Sequence, residues 1–237
     1  MKYTASFILV IIFWLIFYFL PQNSIPEFKS FLTLATFLFA IFIGFFISRQ
    51  SNRYNETLRL LAKFDGTISA LYRLFNHSDK KKVEKFVKIV KAEYSLTLDS
   101  KSWTHTFLEK TSFITDTHSL LSILPEKTRR EDYIFRVGLG YLGSLQLIRK
   151  EIIVITKERI PLFQWIVIFI LGFSLIFAIT TLPSTRILFS SLLKAAFCSA
   201  IFIIIYLLYK FNNLSFFEKV TGGSTGRDVL DIIDGKK

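Results

Sequence analysis

The chain has 237 residues, of which 51% are hydrophobic and 16% aromatic, and its formal net charge is +12. Its mean hydropathy of +0.44 is too high for an ordinary soluble domain of this size, which excludes that class. The apolar residues are gathered in blocks of about 20, the number that a helix needs to cross the hydrocarbon core, so the sequence predicts a helical membrane protein.

The first two predicted membrane helices are Thr4–Leu20 and Phe28–Ser48, and both lie in the first predicted domain, residues 1–48. The first is short and follows Lys2, so it also resembles a secretory signal peptide. No Ala-x-Ala-like cleavage site follows it, which favours a span that is retained. The run Pro21-Gln-Asn-Ser-Ile-Pro26 between the two spans is typical of a tight extracytoplasmic turn.

The second span is predicted to continue beyond the membrane as one helix. Between Gly44 and Gly66 there is neither proline nor glycine, so nothing in the sequence ends the helix where its charged residues begin. One face carries residues spaced four, four, three and four apart: Phe37, Ile41, Phe45, Ser48 and Asn52. Several copies around an axis would form three apolar rings, and such a constriction gates ions by dewetting. An ordinary phenylalanine-rich membrane helix also has an apolar face, so the stripe alone does not establish a pore.

The charges predict the orientation. Residues 49–159 contain 21 Lys and Arg residues against 13 Asp and Glu residues, whereas the short turns 21–27 and 183–186 contain only Glu27 and Arg186. Because Lys and Arg favour the cytoplasmic side, both termini and the middle segment are predicted to be cytoplasmic. This pattern indicates a multi-pass protein of the inner (plasma) membrane.

The cytoplasmic region 49–159 is predicted to consist of helices with short breaks. After Asp79, a plausible N-cap, an apolar face of Val83, Phe86, Val87, Val90 and Tyr94 lies opposite Lys81, Lys82, Lys85 and Lys88. Pro125 separates a helix at about Ser102–Leu124 from a last one at Arg129–Arg159. Gly138, Gly140 and Gly143 in the last helix would permit another helix to approach closely.

The third and fourth predicted spans, Ile160–Leu182 and Ile187–Tyr209, form a hairpin within residues 160–211, and residues 212–237 form a cytoplasmic tail. Lys194 is an ionisable residue inside a span. Its long stem could carry the ammonium to the interface, or the ammonium could face a pore or vestibule. The sole cysteine, Cys198, is predicted to pack among apolar neighbours.

Signatures of an enzyme are missing. The run Gly222-Gly-Ser-Thr-Gly226 follows no strand and lacks the lysine of a P-loop, so it indicates a flexible turn. His77, His105 and His118 do not have the spacing of metal ligands. We therefore expect no catalytic residue, no cofactor and no bound metal. The basic face at Lys80–Lys91 is more typical of a solvated surface near an anionic leaflet than of a nucleic-acid site.

Short motifs along the whole chain resemble the bestrophins, and more closely a bestrophin-like branch of bacterial membrane proteins. The second helix has Gly44-Phe45, then Arg53-Tyr54, then Glu56, in the order of the Gly-Phe, Arg-aromatic and acidic positions of that family. Further similarities are Leu71-Tyr72-Arg73-Leu74, Tyr94 nine residues before Trp103, Arg159-Ile-Pro161 with Trp165, and Asn212-Asn213 with Phe216-Phe217.

The resemblance implies an all-α membrane protein with four transmembrane helices and a helical cytoplasmic lobe. It also implies a homopentameric ion channel whose second helices line the axis. Its neck positions fall on Phe37, Ile41 and Phe45, and the cytoplasmic pore mouth then falls on Ser48, Arg49 and Asn52. Two features depart from the family: Tyr54-Asn55 replaces a double tryptophan, and Glu218 stands alone where animal members have an acidic calcium-binding run. Calcium gating is therefore not expected.

The partners implied are other copies of the chain, the lipid bilayer and inorganic ions, with no nucleic acid. Arg49 beside the neck slightly favours anions such as chloride, although the family contains both anion and cation channels. An alternative function is a membrane-anchored scaffold whose basic lobe binds lipid or protein partners. Secondary transport fits less well, because the chain lacks broken helices with paired carboxylates at mid-depth.

Overall fold

The computed structural model describes residues 2–19, 28–99, 112–122, 129–182, 187–214 and 224–236. These residues form helices and adjoining turns, without a strand in the described ranges, so the predicted all-α class is confirmed for them. Their helices in chain order are α1 (Lys2–Phe19), α2 (Phe28–Phe75), α3 (Lys80–Asp99), α4 (Phe113–Ser122), α5 (Arg129–Lys157), α6 (Leu162–Thr180), α7 (Ile187–Asn212) and α8 (Ser224–Ile233).

The chain divides into two compact units. The first consists of Met1–Ser51 and Arg159–Asn213, and the second of Asn52–Glu158 and Leu214–Lys237. Helix α2 contributes residues to both units. The C-terminal residues, which the sequence pattern predicted as a separate tail, contribute α8 to the second unit. The predicted domain boundaries at residues 48, 159 and 211 stay predictions.

The first unit is built from α1, the N-terminal part of α2, and the helices α6 and α7. Helix α7 packs against both α1 and α6, with Phe13 of α1 stacked on Phe202 of α7 at 5.3 Å between ring centroids. A single buried cluster joins α2, α6 and α7 through apolar side chains, among them Phe39, Ile43, Ile168, Leu175, Cys198 and Ile201. Cys198 is fully buried in it, as predicted.

Three helices of the described ranges are long and apolar enough to cross a membrane. They contain the segments Ser30–Phe75, Leu162–Thr180 and Leu188–Asn212, which overlap most of the second, third and fourth predicted spans. Helix α2 runs without interruption through 48 residues, and both Gly44 and Gly66 are helical, so the predicted continuity is confirmed. The first predicted span, Thr4–Leu20, coincides with α1 but is not among the three, and Leu20 lies outside the described residues.

The second unit has its own apolar core, formed by the C-terminal part of α2 with α3, α4, α5 and α8. Helix α3 begins at Lys80, directly after Asp79, and its predicted apolar face is confirmed because Phe86, Val90 and Tyr94 are buried. Lys81, Lys85 and Lys88 are exposed on the other side. This arrangement follows from the 3.6-residue period, which places apolar residues three or four apart on one face.

Several predicted details of the second unit change in the structure. The predicted helix Ser102–Leu124 is described only as α4, Phe113–Ser122, and Pro125 lies outside the described residues. Of the three glycines in α5, only Gly138 meets a neighbouring helix: a Cβ there would lie 2.8 Å from Cδ2 of Leu121. The prediction of a flexible turn at Gly222–Gly226 was wrong for the last three of these residues, because α8 begins at Ser224.

Candidate pore helix

Helix α2 has two different faces within the first unit. Its buried face consists of Ala35, Phe39, Ile43, Phe46 and Gln50, which repeat at intervals of four, four, three and four. The apolar members of this face belong to the cluster that α2 shares with α6 and α7. The packing of the first unit therefore fixes the rotation of α2 about its own axis, and with it the direction in which the remaining face points.

The predicted neck residues lie on the face that this packing leaves uncovered. Phe37 is 62% exposed, Ile41 is 52% exposed and Phe45 is 60% exposed. They repeat at intervals of four along α2, two residues out of phase with Phe39 and Ile43, which a helix of 100° per residue places on the opposite side. Three large apolar side chains are thus available to contact lipid, another subunit or a pore axis.

The residues predicted at the cytoplasmic mouth are exposed within their own units. Ser48 and Arg49 are exposed in the first unit, and Asn52, in the part of α2 that belongs to the second unit, is exposed as well. Gly44, the glycine of the Gly44-Phe45 motif, has nothing within 4 Å of a Cβ built on it, so its place in α2 is not required by a close neighbour within the chain.

Arg53 has a structural role that the sequence pattern did not predict. Its Nε donates to the carbonyl oxygen of Ile155 and its Nη2 to that of Thr156, both at 2.6 Å. These carbonyls belong to the last turn of α5, where backbone oxygens lack partners inside the helix and cations are favoured. Arg53 is only 7% exposed. It therefore joins α2 to the end of α5 within the second unit.

Glu56 forms an ion pair with Arg59, one turn further along α2. Nε of Arg59 donates to Oε2 of Glu56 at 2.8 Å and Nη2 donates to Oε1 at 2.6 Å. The hydrogen bonds from Arg59 lower the pKa of Glu56, so the carboxylate stays ionised and its charge is balanced locally. Arg59, three residues further along α2, is thus the partner of Glu56.

Two of the sequence motifs meet at the cytoplasmic ends predicted for α6 and α7. The backbone N–H of Ile160 donates to Oδ1 of Asn212 at 2.7 Å, in a buried position. Ile160 belongs to the Arg159-Ile-Pro161 motif before α6, and Asn212 is the last residue of α7. The hydrogen bond satisfies a backbone donor before α6 that no helical carbonyl can reach, and it fastens the two helices together.

Lys194 of α7 binds the C-terminal end of α6. Its Nζ donates to the carbonyl oxygen of Leu182 at 2.7 Å and to that of Thr180 at 3.5 Å, and the residue is only 5% exposed. A cation at this position complements the partial negative charge of a helix C-terminus. Its partners are backbone carbonyls at the end of the neighbouring helix, and the two predicted alternatives, snorkelling and a pore or vestibule role, both stay predictions.

A buried polar contact holds the second unit together at α3. The phenol of Tyr94 donates a short hydrogen bond to Oδ1 of Asp65 on α2, and both residues are buried. Burial and the nearby Asp65 carboxylate raise the pKa of Tyr94, so the phenol is neutral at physiological pH. Gly226 of α8 lies against the same ring, and a Cβ there would be 2.9 Å from Cε1 of Tyr94.

Three long apolar helices and a bundle whose described part is entirely helical define a helical membrane protein. The family model for the Bestrophin-like domain matches residues 4–214, which is most of the 237-residue chain. The chain therefore belongs to the Bestrophin-like family, a family of bestrophin-type channels, and the predicted resemblance is confirmed. No curated protein and no solved structure matches the chain.

Sequence reasoning missed the contacts that Arg53, Asp65 and Gly226 make. A signal was present for Asp65, because it falls between Leu61 and Ile68 on the buried face of α2, where an acid needs a hydrogen-bond partner. Of the other motif positions, Leu71 and Leu74 are buried core residues, while Trp103, Phe216 and Phe217 lie outside the described residues. Glu218, which bears on the expected absence of calcium gating, also lies outside them.

Proposed function

We propose that the chain is the subunit of a homopentameric ion channel with α2 lining the central axis. Family membership supports a channel, and the uncovered stripe of Phe37, Ile41 and Phe45 is the observation that carries the proposal. The channel lies in the inner (plasma) membrane, with both termini and residues 49–159 in the cytoplasm. It conducts inorganic ions, has no enzymatic activity and needs no cofactor.

The neck works by excluding water. Each of the three residues repeats around the axis, so five copies form three stacked apolar rings with no charged group among them. When such rings are narrow, water leaves the constriction and an ion cannot cross without its hydration shell. Opening therefore requires either a wider ring or a turn of α2 that moves the aromatic side chains away from the axis.

Charge at the mouth gives the channel a slight preference for anions such as chloride. Arg49 is exposed one position after Ser48, so its side chain is able to approach the axis. The other nearby charges are engaged elsewhere: Arg53 binds carbonyls of α5, and Glu56 is balanced by Arg59. Arg49 then dominates the local field, and rings of arginine favour anions in a pore.

A scaffold remains the alternative function, favoured by the exposed lysines of α3. Lys80, Lys81, Lys85 and Lys88 are exposed and give the second unit a basic surface that would suit anionic lipids or acidic proteins. A scaffold does not need an apolar axis, however, and would bury the three neck residues between helices of one subunit. The exposure of Phe37, Ile41 and Phe45 supports the channel instead.

The proposal is tested by ion flux through purified protein in liposomes. Replacing Phe37, Ile41 and Phe45 together by alanine widens and partly wets the constriction and should raise the flux. A matched control replaces Ile170, Phe173 and Phe177 of α6, which are also exposed and have the same composition, and should leave the flux unchanged. Wild-type protein that conducts while the neck triple variant behaves like the control would place the pore elsewhere.

A further inference from the structure

The second unit contains a groove that the channel proposal does not use. It has a volume of about 660 Å³ and is lined by residues of α2, α5 and α8 together with the turn after α2. Its volume falls in the range of about 300–1,000 Å³ that is typical of small-molecule sites. None of the predicted neck or mouth residues lines it.

One end of the groove is cationic. Arg73 lies in the last turn of α2, and His77 follows it in the turn before α3, so both side chains line the groove from the same end of α2. Arg73 is exposed and forms no ion pair or hydrogen bond with any of the described residues. A guanidinium that no carboxylate neutralises is suited to bind the oxygens of a phosphate or carboxylate in a bidentate manner.

The wall opposite α2 is aromatic. Tyr133 and Tyr141 lie eight residues apart on α5, about 12 Å along the helix, and both line the groove. Tyr133 is 61% exposed although it is a large apolar ring, and neither ring stacks on another described aromatic residue. Such rings provide a surface on which a flat aromatic group stacks.

The floor of the groove is formed by small residues of α2. Gly66, Ser69 and Ala70 line it, and a Cβ built on Gly66 has nothing within 4 Å. Glycine is unfavourable inside a helix, and no close neighbour requires it at this position. Because Gly66 has no side chain, the groove stays open beside α2.

The geometry points to a binding site for a nucleoside monophosphate, with the phosphate at Arg73 and His77 and the flat ring stacked on one of the two tyrosines, Tyr133 or Tyr141. The cationic end, the aromatic wall and the open floor each fit one part of such a ligand. The site lies within one unit of one chain, so binding does not depend on ion conduction or on the number of subunits.

Calorimetric titration of the purified full chain in detergent tests this site. The probes are the adenine, guanine, cytosine and uracil nucleoside monophosphates and flavin mononucleotide, with adenosine, riboflavin and inorganic phosphate as partial ligands. At least one complete probe should bind, and its partial counterparts should bind at least about tenfold more weakly, since each lacks one set of contacts. Absence of binding by all five complete probes at millimolar concentration overturns the proposal. So does a partial ligand that binds as tightly as its complete counterpart.

Two variants locate the binding. Gly66→Trp fills the groove from its floor, and Arg73→Gln removes the charge, so each should raise Kd about tenfold or more. The matched control is Gly143→Trp on α5, which is equally open around its Cβ but does not line the groove, and it should leave Kd unchanged. Because Arg73 is exposed, Arg73→Gln should leave the fold intact. It therefore tests the site even if Gly66→Trp disturbs folding. Binding that survives both substitutions lies at another site and overturns the assignment.

Discussion

At the scale of single residues, the structure separates two arginines that are close together in sequence. Arg49 is exposed, whereas Arg53 is buried and donates to the last carbonyls of α5. The sequence placed Arg49 at the mouth of a pore and did not predict the carbonyl partners of Arg53. A cationic residue near a membrane helix thus has to be judged by its partners, because its charge is equally useful for binding the end of a helix.

Replacing Arg53 by methionine should destabilise the second unit. The substitution keeps an unbranched stem but removes two hydrogen bonds to backbone carbonyls, so the free energy of unfolding should fall by about 1.5–3 kcal/mol. Thermal unfolding in detergent measures the effect. The control is Arg59→Met on the same helix, where the side chain is 66% exposed and the change should stay within about 0.5 kcal/mol. Equal effects of the two substitutions would refute the structural role of Arg53.

Tyr94 should make the second unit sensitive to alkali. Its pKa is raised in the folded chain by burial and by Asp65, whereas the unfolded chain has the ordinary value of about 10. The stabilising contribution is therefore complete below pH of about 10 and is lost as the pH rises further, because only the unfolded state releases the proton. Unfolding midpoints measured against pH should fall less steeply above this value for Tyr94→Phe than for wild type. Identical slopes would mean that another group causes the alkaline loss.

At the scale of helices, the period and the breakers in the sequence predicted most of the described elements. The apolar face of α3, the start of α5 at Arg129 and the continuity of α2 follow from local rules, since the residues that decide them are neighbours in sequence. Helix α8 was missed because its first turn contains three of the residues predicted as a flexible turn, Gly226 among them. Its docking depends on Tyr94, more than 100 residues earlier, and such a contact leaves no local pattern.

Gly226 should be required for the docking of α8. An alanine there would place its Cβ 2.9 Å from Cε1 and 3.1 Å from Cδ1 of Tyr94, and the hydrogen bond to Asp65 restrains the ring. Overpacking of this kind costs about 1–3 kcal/mol. Faster hydrogen exchange of the α8 amides in Gly226→Ala would show the effect. The comparison is Gly140→Ala, where the Cβ meets nothing within 4 Å and exchange should stay unchanged or slow down.

At the scale of the whole molecule, the spacing of residues predicted which side of α2 carries the neck residues, but it could not predict what that side contacts. The intervals between Phe37, Ile41 and Phe45 place them on one side of any helix, and the packing of Phe39 and Ile43 against α6 and α7 leaves that side uncovered. What covers it in the membrane depends on other copies of the chain, which a single subunit does not specify. The assembly therefore has to be measured directly.

The assembly should be a closed ring of five parallel copies. A ring needs two different surfaces on each subunit that contact one another, and closure then limits the number of copies. Mass measurement in mild detergent and in nanodiscs should give a protein mass five times the 27.6 kDa of one chain. A chain that stays monomeric in both detergent and nanodiscs would exclude a central axis shared by several copies. It would therefore also exclude the neck proposed around that axis. Nucleotide binding to the groove of the second unit would be unaffected by that result.

Selectivity should depend on Arg49 and very little on the net charge of the chain. Exposed charges more than about 8 Å from the ions are screened at physiological ionic strength, so most of the +12 on each chain has no influence on permeation. Arg49→Glu reverses the charge of the ring at the mouth. The control, Lys85→Glu on α3, changes the net charge of the chain by the same amount but lies outside α2. In a planar bilayer under a salt gradient, the wild type should reverse closer to the anion equilibrium potential. Arg49→Glu should move the reversal toward the cation value while Lys85→Glu leaves it in place. A wild-type reversal at the cation potential, unmoved by Arg49→Glu, would rule out an anion-selecting arginine ring.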